Sequence, residues 1–111
     1  MQNNAQMQLK SDVIKIGKYT FDSKNFILTF LDSEKIELTA RESQILELLA
    51  RHKGKVVKRE DILNTFWEKH DSVFASKSLN VFITKLRSYF SKDASVLIKN
   101  VKQVGLILEA D

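Results

Sequence analysis

Five side chains within a short stretch, Lys77, Val81, Thr84, Lys85 and Arg87, carry the chemistry this sequence is best equipped to do. At about 100° of rotation per residue, Lys77, Val81, Thr84, Lys85 and Ser88 share one side of a helix, and Arg87 points sideways. A lysine can donate to guanine O6 or N7, and a hydroxyl can bond a base edge or a phosphate. A valine can pack on a thymine methyl, so this face suits the major groove of double-stranded DNA. Lys77, near the helix start, and lateral Arg87 suit phosphates, which set register without reading sequence. The same residues also describe an ordinary solvated helix face, although a valine flanked by cations is less expected there.

Other chemistries are poorly supplied. The chain has no cysteine, its two histidines, His52 and His70, are not paired at metal-ligand spacing, and its three glycines form no phosphate loop. Asp and Glu are scattered over exposed-looking positions, with no pair singled out for acid–base work. Neither an enzyme nor a cofactor or metal is expected.

The formal net charge is +4, and its placement is more telling than its size. From Ser76 to Gln103 stand Lys77, Lys85, Arg87, Lys92, Lys99 and Lys102 against Asp93 alone, while the rest of the chain is nearly neutral. That asymmetry fits a last third that faces a polyanion, though on charge alone a lysine-rich solvated face fits equally well. At 43% hydrophobic and 29% charged residues, the composition is that of a globular chain, and 111 residues suffice for one domain. No apolar run reaches the length of a membrane span and Met1 to Ser11 lacks the core of a signal peptide, so a cytoplasmic protein without membrane contact is expected.

Around these residues the sequence predicts a simple frame. Residues Met1 to Asp12 read as a flexible linker or arm, and 13–111 as the folded domain. Strand-like segments at Val13 to Ile16, Lys18 to Asp22, Asn25 to Leu31 and Lys35 to Glu37 imply an antiparallel meander. Thr39 with Glu42 three residues on is a capping box, followed by Ile45, Leu48 and Leu49 at helical spacing and a stop near Gly54. Arg59 to Trp67 reads as a second helix with Ile62, Leu63 and Phe66 inward. Glu68 to Ala75 has no periodicity and reads as a loop. A third helix is predicted from Ser76 to about Ser91, with Leu79, Ile83, Leu86 and Phe90 in the core and Phe82 and Tyr89 beside them. Val96 to Val101 and Leu106 to Glu109 form a final hairpin. Its tip residues Lys102 and Gln103 suit an adjacent minor groove, or belong to a plain surface hairpin. The Trp67 indole could donate to a phosphate, but beside Phe66 a packing role is favoured.

The order of these elements, and three motifs, give the frame a family. The motifs are Leu38-Thr39-Ala40-Arg41-Glu42, the run from Gly54 to Leu63 with Phe66-Trp67, and Lys77 to Arg87. Together they resemble the OmpR/PhoB-type winged-helix effector domain of bacterial two-component response regulators, over Val13 to Leu108. The resemblance implies an α+β fold: a winged helix-turn-helix with an N-terminal four-stranded antiparallel sheet, three helices and a C-terminal β-hairpin wing. It further implies sequence-specific promoter binding, with base contacts from Val81, Thr84 and Lys85 and phosphate contacts from Trp67, Lys77, Ser78, Arg87 and Asn100. Lys102 and Gln103 would sit in the wing. The segment Glu68, Lys69, His70, Asp71 and Ser72 would contact RNA polymerase, and an N-terminal receiver domain would control the output. The isolated domain would be a monomer that dimerises head to tail on DNA. Phe82 stands where the family often has His, and Lys102 keeps the charge of a wing arginine without its planar fork. A rival expectation from the same frame is a winged-helix protein-interaction module with no DNA site.

Overall fold

The computed structural model describes residues 11–68 and 71–111. Strands β1 (Val13–Ile16), β2 (Tyr19–Asp22), β3 (Ile27–Phe30) and β4 (Glu34–Glu37) pair antiparallel in sequence order. Alternation sends Ile16, Tyr19, Phe21 and Leu28 into the core. Of the predicted arm, Met1 to Lys10 lies outside the described residues. Ser11 and Asp12 are held by the folded unit: Arg51 donates to the Ser11 carbonyl, and Ser23 to that of Asp12.

Helix α1 (Ala40–Arg51) starts on the predicted capping box, with Thr39 Oγ1 accepting from the Glu42 amide at 3.1 Å and Glu42 Oε1 from the Thr39 amide at 2.9 Å. Glu42 is itself buried, and its second oxygen accepts from the Tyr89 hydroxyl at 3.0 Å. Burial, and then the Glu42 carboxylate, push the Tyr89 phenol above its usual range. Strand β5 (Val57–Lys58) leads into helix α2 (Arg59–Phe66), of which Ile62 is fully buried and Leu63 and Phe66 half-buried.

Helix α3 (Ser72–Tyr89) is longer at its start than the sequence predicts. The segment Glu68 to Ala75 is not all loop, because Asp71 caps the helix: its side chain accepts from the Val73 amide at 2.7 Å. The cap was hidden by a first turn in which Val73 and Phe74 are exposed and only Ala75 is buried, leaving no apolar rhythm to read. Lys69 and His70 lie outside the described residues. Further on, Leu79, Ile83, Leu86 and, at the C-cap, Phe90 enter the core as predicted. A fully buried leucine stabilises by about 1.5–3 kcal/mol, so this stripe fixes the rotation of α3 and leaves its opposite face in solvent.

Strands β6 (Leu97–Val101) and β7 (Gly105–Glu109) form the terminal hairpin, and β7 also pairs with β5 to give a second sheet of order β5-β7-β6. Gly105 sits where the backbones meet: a Cβ there would lie 2.0 Å from the Val57 carbonyl oxygen. Just before the hairpin, Asp93 is also buried. It accepts from the Lys18 amide at 2.7 Å and from the amide and hydroxyl of Ser95. These bonds, the Lys18 amide foremost, hold its carboxyl below the ordinary value of 3.8. Asp93 and Glu42 thus correct the expectation of exposed acids, since each exchanges water for protein donors, from a local residue and, as the Lys18 amide or the Tyr89 hydroxyl, from a distant element.

Candidate nucleic-acid interface

The face of α3 away from the core carries Lys77, Val81, Thr84, Lys85 and Ser88, all exposed, with Val81 at 63%. Ser78 is half-buried on its flank. The Thr84 hydroxyl donates to the Asn80 carbonyl at 2.9 Å and the Ser88 hydroxyl to that of Lys85 at 2.6 Å. With its hydrogen engaged, Thr84 presents lone pairs and a methyl group, suited to accept from a base amino group. A phosphate, which only accepts, would require the hydroxyl to turn. Arg87 is exposed, but its Nε donates to the Ile98 carbonyl of β6 at 2.9 Å, so part of its donor capacity braces the hairpin.

The six cations of the last third are not equivalent. Lys92 is paired with Glu34, and Lys99 with Glu109 at 2.9 Å. Lys77, Lys85, Arg87 and Lys102 make no salt bridge among the described residues. The pairings thus concentrate uncompensated charge on the α3 face and the hairpin tip, more sharply than a count along the chain.

At the tip, Lys102 and Gln103 are exposed and Gln103 takes a left-handed turn with φ of 65°. Asn100 is exposed on β6 opposite Leu106. The hairpin tip, the start of α2 and the first turn of α3 line one open groove of about 670 Å³, to which Lys58, Arg59, Asn100 and Lys102 contribute polar groups.

Trp67 also lines this groove, from a largely buried position. It is 7% exposed, and its ring packs against Phe66 and Phe82 with centroids 6.3 and 6.0 Å away. The Arg41 guanidinium lies 5.1 Å from the same ring and donates to the Phe66 carbonyl. Packing is thus the main role of the ring, as its neighbour Phe66 suggests, and its rim borders the groove beside Lys58 and Asn100. Conversely, Arg59 gave no signal in the sequence beyond its charge, yet its Nη2 lies within 3.1 Å of the Ser76 carbonyl, the Ser76 hydroxyl and Asn80 Oδ1. No helix among the described residues is long and apolar enough to cross a membrane.

Comparison with known proteins places this arrangement in context. The family described as "Transcriptional regulatory protein, C terminal" matches residues 33–108. The transcriptional regulatory protein RprY of Bacteroides fragilis is 40% identical over 96 residues, covering 86% of this chain and 40% of RprY. The chain therefore spans less than half the length of that relative. Among solved structures, the response regulator DrrB, an OmpR/PhoB homologue from Thermotoga maritima, superposes with a TM-score of 0.78 at 28% identity. The match covers 95% of this chain and 48% of DrrB. The DNA-binding domain of CpxR from E. coli gives a TM-score of 0.75 at 26% identity, covering 91% of this chain and all of that domain.

Proposed function

The chain belongs to the transcriptional regulatory protein C-terminal family, the winged-helix domains of OmpR/PhoB-type response regulators, and from that premise we propose how it reads a promoter. Helix α3 enters the major groove, where Lys85 donates to guanine, Val81 packs on a thymine methyl and Thr84 accepts from a base amino group. Lys77, Ser78, Arg87 and Asn100 hold phosphates, and Lys102 and Gln103 reach the neighbouring minor groove. The domain acts in the cytoplasm as the output of a longer regulator, under a phosphorylated receiver domain, and pairs head to tail on direct repeats. Glu68 to Ser72, leading into α3, contacts RNA polymerase.

The observation that carries this reading is an exposed Val81 set between lysines that make no salt bridge among the described residues, on a helix whose other side is locked in the core. Lys85→Glu is the clean test, because Lys85 is exposed and its side chain makes no hydrogen bond or ion pair among the described residues. It should abolish the mobility shift of a promoter fragment at moderate salt with the fold intact, and unchanged binding would sink the proposal. Arg87→Glu should also abolish binding, but it removes the bond to Ile98 as well, so it is the weaker test.

The exposed pair Val73 and Phe74 favours one alternative, a protein-interaction module. That role predicts equal affinity for promoter and scrambled duplexes at matched salt.

A further inference from the structure

We propose that Arg59 is a positioning residue for DNA reading, a brace that locks the recognition helix α3 to the wing. The inference rests on the DNA-binding role assigned above. Arg59 opens α2, in the groove between the recognition helix and the wing, and it holds both. Its main-chain N–H donates to the Val104 carbonyl in the wing turn at 3.0 Å. Its Nη2 reaches the Ser76 carbonyl at 3.1 Å, Ser76 Oγ at 2.7 Å and Asn80 Oδ1 at 2.9 Å, all on α3.

Two features show why the link bears on reading. Asn80 directly precedes Val81, and its carbonyl accepts the Thr84 hydroxyl, so the brace grips the turn that carries two base-reading side chains. On the wing side, a Cβ on Gly105 would lie 2.9 Å from the Arg59 nitrogen, so this glycine lets the hairpin close onto Arg59. Arg87, bonded to Ile98, ties the far end of α3 to the same hairpin. Two arginines thus fix the helix against the wing at separate points, Arg87 directly through its guanidinium and Arg59 by its guanidinium on α3 and its main-chain N–H on the wing. Base readout needs side chains held to within roughly 0.5 Å. Arg59 serves all three acceptors from one terminal nitrogen, Nη2, whose N–H directions the planar guanidinium fixes where a freely rotating lysine ammonium does not.

The test uses the whole chain and a duplex that it selects from a randomised library, compared with a scrambled duplex over a range of salt. Arg59→Lys keeps the charge and loses the fork. It should cut the selected-to-scrambled affinity ratio by about tenfold, as expected for a charged hydrogen bond. Asn80→Ala removes one exposed acceptor and should give a smaller loss that does not add to that of Arg59→Lys. Arg59→Gln should leave the salt slope unchanged, because the guanidinium is engaged with protein and not with phosphate.

A slope shallower by about 0.9, the loss of one phosphate contact, with a uniform drop on both duplexes, would make Arg59 a phosphate ligand and overturn the brace. An unchanged ratio in variants that circular dichroism shows to be folded would overturn it too, while leaving DNA reading intact. If the unmodified chain selects no sequence, DNA reading and the brace fail together.

Discussion

Val81 illustrates what one residue contributes. Its methyl groups are solvated in the free protein, so truncation should spare the fold and show only on DNA. Val81→Ala should lose about 1 kcal/mol against a site with thymine at the contacted step, from roughly 0.8 kcal/mol per buried methylene. Replacing that thymine by uracil, which lacks the methyl, should weaken the unmodified chain and leave the variant indifferent. Asp93 makes the opposite case, a residue whose effect is on folding. Its carboxyl titrates lower in the folded state than its ordinary 3.8. Its stabilisation is therefore complete above that value and is lost as pH falls through the lower folded one. The urea midpoint should hold from pH 7 to 5 and drop below about pH 4. Asp93→Asn should lower the midpoint at pH 7 and narrow the gap between pH 7 and pH 3.

Each element owes its place to a short local signal and a distant anchor. Helix α1 has its capping box at one end, and through Glu42 the same box holds Tyr89 near the end of α3. Helix α3 has its Asp71 cap, its apolar stripe and two arginine braces. The wing depends on Gly105, where Val57 O, Arg59 N and Lys58 Cα crowd the space a side chain would need. Those atoms are backbone and cannot swing aside, so Gly105→Ala should part β5 from β7. A destabilisation of about 3 kcal/mol, the upper part of the overpacking range, is expected in urea unfolding. DNA affinity measured below that transition should fall as well, because the tip loses its seat.

For the molecule as a whole, the distribution of apolar surface sets the oligomeric state. Among the described residues the exposed large side chains are spread over β1, the turns, the wing, and the start and middle of α3. Without DNA, sedimentation should give the monomer mass of 12.8 kDa. A tight dimer at micromolar concentration would contradict this. Of the six cations in the last third, the four without a salt bridge among the described residues lie on α3 and the wing tip, so binding should weaken steeply with salt.

The sequence by itself determined the meander, the capped first helix, the inward stripe of α3 and the hairpin, because periodicity and capping are properties of neighbouring residues. It also determined which α3 side chains face outward, since one stripe in the core fixes the rest by geometry. The Phe82 and Arg41 neighbours of Trp67, the pairing of Lys92 with Glu34, the bond from Lys18 to Asp93 and the grip of Arg59 were decided only by the tertiary structure. In each case the partner comes from another element, and nothing local records which distant group packing will bring into reach. The outward face of α3 was therefore legible from the start. Which of its charges stay uncompensated, and what holds the helix against the wing, depended on the fold.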